Sequence, residues 1–204
     1  MPFLGGTITY KKFRVLEEVP KNFKDSVAHN LPKHTFREIN PKTNPEFSIG
    51  WVNSGDPMDS RLNLEKIIFG KYIIMGIRRD KKSVQPAMLK AKLSEAIRAQ
   101  MRERKGRKLS REEMAGLKDT VKEQMLASIS PNTAFFEMVW NYETQEVYFS
   151  SQSAKATEDF LDLFQETFEL TLEDFNLVAR TEFYISDKGL ELELADIEAS
   201  HFGA

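Results

Sequence analysis

The sequence contains no cysteine. That absence removes disulfides, thiolate zinc sites, iron–sulfur clusters and thiol nucleophiles together. It also lacks any apolar run of about 18 residues, so no membrane-spanning helix is expected. The start, Met1-Pro2-Phe3-Leu4-Gly5-Gly6, has no charged segment leading into an apolar one. No secretory signal is expected from it, and a reducing cytoplasm is the expected setting. Histidine is scarce, with three in 204 residues. The phosphate-cradling GxxxxGK[ST], the dinucleotide GxGxxG and the nucleophile-elbow GxSxG are all missing. His29 and His34 lie near Glu38, but not at the spacing of a helix-borne HExxH pair, and the stretch reads as a loop. Asp56, Asp59 and Glu65 share one segment whose Ser54, Gly55, Pro57 and Ser60 indicate a polar turn. Asp80-Lys81-Lys82 reads as a strand exit. Neither a metal nor a cofactor is expected.

What the sequence has is charge, unevenly spread. The formal net charge is -2. Residues 78–122 carry fifteen Lys/Arg against six Asp/Glu, whereas residues 141–204 carry three against fifteen. A basic middle block therefore precedes a strongly acidic end, and the near-neutral total conceals both. A basic block of this size can face phosphates.

The hydrophobic pattern supplies the elements. Residues 7–16 read as a strand, 20–31 as a short helix opened by Pro20, and 32–45 as a proline-containing loop. Residues 47–52 form a short strand, and 67–78 form the most apolar one, expected in the sheet interior. Pro86 starts a helix at a first-turn position, where proline costs little. Leu89, Leu93, Ile97 and Met101 mark its apolar face, with Lys90, Arg98, Arg102 and Lys105 on the next face round. Gly106 ends it. Ser110 to Glu113 has capping-box form and starts a second helix. Its apolar stripe is Met114, Leu117, Val121 and Met125, and its basic stripe is Arg111, Lys118 and Lys122. The short link between them implies an antiparallel helical hairpin. Pro131 closes this unit. Strands at 134–140 and 146–150, a helix at 153–168 and a brief strand at 170–172 follow. Phe183 to Ile185 and Leu190 to Leu194 flank Asp187-Lys188-Gly189, the pattern of a β-hairpin.

The expected class is α+β: an antiparallel-rich sheet body with packed helices, residues 1–82 and 130–204. A projecting basic antiparallel helical hairpin, residues 83–129, is inserted in it. Lys90, Arg98, Arg102, Arg104, Lys105, Arg107, Lys108, Arg111, Lys118 and Lys122 are the candidate DNA-contact residues. Their stripes carry no Asn or Gln, so backbone contact without base reading is indicated. Phe135, Phe136 and Trp140 could stack on bases. However, Phe136, Met138 and Trp140 also alternate as a core-facing strand does.

Gly106-Arg107-Lys108-Leu109, then Glu113, Leu117-Lys118-Asp119 and Val121, resembles the helical finger of the RdgC family of recombination-associated proteins. Gly50-Trp51-Val52, Pro86 to Leu93, Met138-Val139-Trp140 and Ser153 to Asp159 resemble other family segments in the same order. The resemblance runs from about Phe47 to Leu172. It implies a nucleoid-associated protein that binds double-stranded DNA without sequence preference. It further implies a homodimer forming a closed ring with a positive hole, and restraint of RecA-promoted strand exchange. Phe135 or Phe136 would be the dimer contact. Typical members are longer, so the chain resembles a short or truncated form lacking the usual C-terminal part. Some members are labelled exonucleases, but no catalytic constellation carries over. Two other readings stand beside this one: a protein-interaction or dimerisation module, and a metal-dependent exonuclease.

Overall fold

Apolar residues at every second position build the sheet, because successive side chains on a strand point to opposite faces. A computed structural model describes residues 9–104 and 108–190 of the chain. Its elements in chain order are β1 (Lys11–Val15), α1 (Phe23–His34), β2 (Phe47–Val52), α2 (Leu64–Ile67), β3 (Ile68–Phe69) and β4 (Tyr72–Lys81). Then come α3 (Pro86–Glu103), α4 (Arg111–Ser128), β5 (Asn132–Asn141), β6 (Glu146–Phe149), α5 (Ala154–Phe168), β7 (Leu172–Asp174) and α6 (Leu177–Asp187). The fold is α+β. The strands form one seven-stranded sheet in the order β2-β4-β5-β6-β1-β7, with β3 paired to β4.

By its contacts the chain falls into two compact units. One comprises residues 9–35, 51–77 and 136–190, and the other 36–50 and 78–135. In the first unit β1 pairs antiparallel with β6 through Phe13↔Val147, and β6 with β5 through Trp140↔Val147. Phe13, Val15, Met138, Trp140, Val147 and Phe149 are all buried on one sheet face. Helix α5 sets Phe160, Phe164 and Phe168 four residues apart toward them. Phe149 and Phe160 stack with ring centroids 4.3 Å apart, and Trp140 meets Phe164 edge-on at 5.3 Å. Helix α1 packs against α5, where the Phe23 and Phe168 rings lie 6.0 Å apart. The indole of Trp51 is buried, and its Nε1 donates to Thr167 Oγ1 at 2.7 Å, so the burial leaves no orphan donor there.

Three expectations are corrected here. The apolar stretch 67–78 is not one strand. Ile67 ends α2, and β3 turns back onto β4 through Gly70-Lys71, pairing Phe69↔Tyr72. Gly70 has φ +61 and Lys71 does not have positive φ, the pattern of a two-residue hairpin turn with glycine first. The helix expected to end at Leu31 runs on to His34 through Pro32. Buried Phe23, Val27 and Leu31 pin its inner face, and Pro32 falls close enough to the end to break little of the ladder.

The third correction concerns the C-terminal β-hairpin. Phe183 to Ile185 lie inside helix α6, while residues 191–194 lie outside the described residues. The Asn176 side chain accepts from the Ala179 N–H at 3.1 Å and caps the helix start. Gly189, at φ +59, lets the Leu190 N–H bond Ile185 O at 3.0 Å, which is a Schellman stop. Asp-Lys-Gly therefore serves as a helix terminator here, not as a strand turn. The Arg14 guanidinium lies 3.4 Å from the Phe183 ring centroid and holds the helix in place.

Candidate nucleic-acid interface

The second unit carries the basic residues. Pro86 takes the first helical position of α3, where a missing N–H costs nothing, and Gln85 before it is extended. Helix α4 starts from a complete capping box. Ser110 Oγ accepts from the Glu113 N–H at 3.2 Å, and Glu113 Oε2 accepts from the Ser110 N–H at 2.8 Å. The two helices pack on one another antiparallel. At one end, Arg104 after α3 reaches Glu113 in the first turn of α4. Toward the other, Lys92, Glu95, Ala96 and Ala99 share a groove of about 390 Å³ with Val121, Gln124, Met125 and Ser128. The last turn of α4 is held by Lys82, whose Nζ donates to Leu126 O at 2.9 Å. A cation at that carbonyl end also suits the helix dipole. α3 has no fully buried residue, so its apolar stripe is only partly covered.

The candidate cations divide into two sets. Lys90, Arg98 and Arg102 on α3, Lys108 in the link, and Arg111 and Lys118 on α4 are exposed. None of these six has a carboxylate within 4.0 Å among the described residues. Arg104 and Lys122 are different. Arg104 Nη1 lies 2.5 Å from Glu113 Oε1, and Lys122 Nζ lies 2.5 Å from Glu46 Oε1. The hydrogen bond it donates to Glu46 raises the Lys122 ammonium above its ordinary pKa. Lys105 and Arg107 lie outside the described residues.

On α4, at about 100° per residue, Arg111, Lys118 and Lys122 fall within about 40° of one another. Glu112, Asp119 and Glu123 form an acidic stripe about 100° further round. A polyanion approaching α4 is thus drawn to one side and repelled from the next.

Phe135 and Phe136 are consecutive on β5 and point to opposite faces. The Phe136 ring packs on Phe149 at 5.6 Å, and Met138 and Trp140 on the same side are fully buried. That run serves the core.

Carboxylates weighed for metal binding are dispersed or engaged. Asp59 takes Lys66 Nζ at 2.7 Å and the Arg61 N–H at 2.9 Å, and chiefly the Lys66 bond holds its pKa below the ordinary value. Asp56 Oδ1 accepts from the Met58 N–H. His34 pairs with Glu166 at 3.4 Å. Among the described residues no group of three or more His, Asp or Glu gathers as a metal set.

Sequence reasoning missed one feature near the hairpin. Asp80 is 2% exposed, with Oδ1 accepting from Arg78 Nε at 3.0 Å and from the Thr133 hydroxyl at 2.8 Å. Its Oδ2 accepts from Arg78 Nη2 at 2.8 Å. Arg78 also lies over the Phe36 ring at 4.3 Å. Glu38, Arg78, Asp80 and Lys82 line a small cavity of about 220 Å³. Both Asp80 oxygens are committed to Arg78 and Thr133, so the cluster acts as a buried brace between β4 and β5 residues. The only sequence sign was an Arg and an Asp two apart on one strand face.

Among the described residues no helix is long and apolar enough to cross a membrane. Compared with known families, residues 10–184 match the family model described as "Putative exonuclease, RdgC". No curated protein matches the chain.

Proposed function

The chain belongs to the RdgC family, and we propose that it binds double-stranded DNA through the phosphate backbone, without sequence preference. The observation that carries this reading is the set of six exposed cations on α3, α4 and their link that have no carboxylate partner among the described residues. Phosphate contacts supply affinity and salt dependence, whereas base-edge contacts supply sequence discrimination. The cations are lysines and arginines without a flanking Asn or Gln stripe, so base discrimination is not part of the proposal. We further propose that the protein works as a homodimer associated with the nucleoid and modulates RecA-dependent recombination, as the family resemblance implies. With Phe136 packed on Phe149, Phe135 is the aromatic proposed for contact with a second copy. No arrangement of carboxylates among the described residues favours a nuclease reading over this one.

Two labelled duplexes of unrelated sequence test the reading by fluorescence anisotropy at low salt. The expected result is binding to both, with affinities equal within about threefold, since backbone contacts carry no sequence information. Failure to bind either duplex, or a strong preference for one, would overturn it. Self-association that survives high salt and is lost in Phe135→Ala, without DNA binding, would instead favour the protein-interaction reading.

A further inference from the structure

We infer that Glu113 and Glu46 are internal competitors for phosphate, each holding one hairpin cation out of the DNA-contact set. The inference rests on the proposed duplex reading and extends it to how binding strength is set. Eight of the ten candidate cations are described, and of these only Arg104 and Lys122 are ion-paired. Both pairs are short and both are solvent-accessible, with each side chain about 40% exposed. Exposed ion pairs contribute little to stability and are screened by salt. Neither pair is therefore needed to hold the fold, yet each neutralises a cation on the surface that a duplex would approach.

Glu113 has two roles that chemistry can separate. One carboxylate oxygen closes the capping box by accepting from the Ser110 N–H, and the other meets Arg104. The Ser110 backbone bond and then Arg104 hold its pKa below the ordinary value, so it is charged at neutral pH. Glutamine at this position still completes a capping box, because its carbonyl oxygen also accepts. It cannot neutralise an arginine. Glu46 lies outside the hairpin and caps no helix, yet it meets Lys122 in the same way. Lys122 shares its face of α4 with Arg111 and Lys118, so freeing it extends an existing basic row. Two acidic residues thus limit the number of phosphate contacts, and the six cations without a carboxylate partner among the described residues set the binding that remains.

The experiment measures log K against log salt on one random duplex for wild type, Glu113→Gln and Glu46→Gln. Each variant is expected to steepen the slope by about 0.9, the increment of one added phosphate contact. At 0.1 M salt that corresponds to roughly five- to tenfold tighter binding. Adding Arg104→Ala to Glu113→Gln is expected to return the slope to the wild-type value. A steep wild-type line with parallel, no tighter lines for both variants overturns the inference while leaving the duplex reading intact. A flat wild-type line overturns the duplex reading itself. Circular dichroism reports whether Glu113→Gln keeps its helices; if it does not, Glu46→Gln alone decides.

Discussion

Replacing Lys90, Arg98, Arg102, Lys108, Arg111 and Lys118 together with alanine is expected to weaken duplex binding by about 10³-fold or more at 0.1 M salt. These six are exposed and have no carboxylate partner among the described residues, so each is available to displace a counterion from DNA. Alanine is the best helix former, and no fully buried side chain is removed, so α3 and α4 should survive the change. A matched control separates the surface from overall charge. Replacing Lys21, Lys24, Lys33, Lys71, Lys155 and Lys188 removes six positive charges from the other unit. If binding needs the hairpin, the control loses far less affinity than the hairpin variant. Equal losses would mean that only net charge matters.

The second large effect is on stability. Phe160→Ala is expected to cost about 3–5 kcal/mol, the range for emptying a buried aromatic site. Phe160 is 0% exposed and touches three further rings besides the one it stacks on, those of Phe13, Trp51 and Phe164. Its stacking on Phe149 joins α5 to the buried face of the sheet. The neighbouring rings cannot all close in on the space left behind, so the cavity term adds to the lost transfer energy. By contrast Phe69→Ala, at a half-exposed turn position, should change stability by about 0.5 kcal/mol or less. Denaturant midpoints of the two variants check the pair. A Phe160→Ala loss below about 1.5 kcal/mol would mean that α5 is not a principal layer of this core.

The elements legible in the sequence are those fixed by local chemistry. Pro86 and the Ser110–Glu113 box place the starts of α3 and α4, and both hold in the structure. The four-residue spacing of Phe160, Phe164 and Phe168 marks the helix read at 153–168, and α5 spans Ala154–Phe168 with Ser153 as its cap, accepting from the Ala156 N–H. What was not legible depends on chemistry with two meanings. Asp187-Lys188-Gly189 suits a β-hairpin and a helix stop equally, and the cap at Asn176 with the Arg14–Phe183 stack decided for helix. Gly70 lies inside the apolar run 67–78 that reads as one strand, yet at positive φ it turns the chain between β3 and β4. The brief strand read at 170–172 sits at 172–174, where pairing with β1 sets the register.

The candidate site was legible as a charge pattern and not as a set of free charges. Helix spacing sets Arg111, Lys118 and Lys122 on one face of α4. It could not show that Lys122 is met by Glu46, which lies far off in the chain. Glu113 was visible as a capping residue, but its reach to Arg104 exists only once the two helices close on each other. Pairing across sequence distance is a tertiary property, and it removes two of the cations that composition alone counts.

The most direct test of the account is the slope of log K against log salt for the unaltered chain on a random duplex. Six phosphate contacts predict a slope of about −5, falling toward zero in the six-alanine variant. A wild-type slope shallower than about −1, or one unchanged by that variant, would contradict the hairpin as the DNA-contact surface.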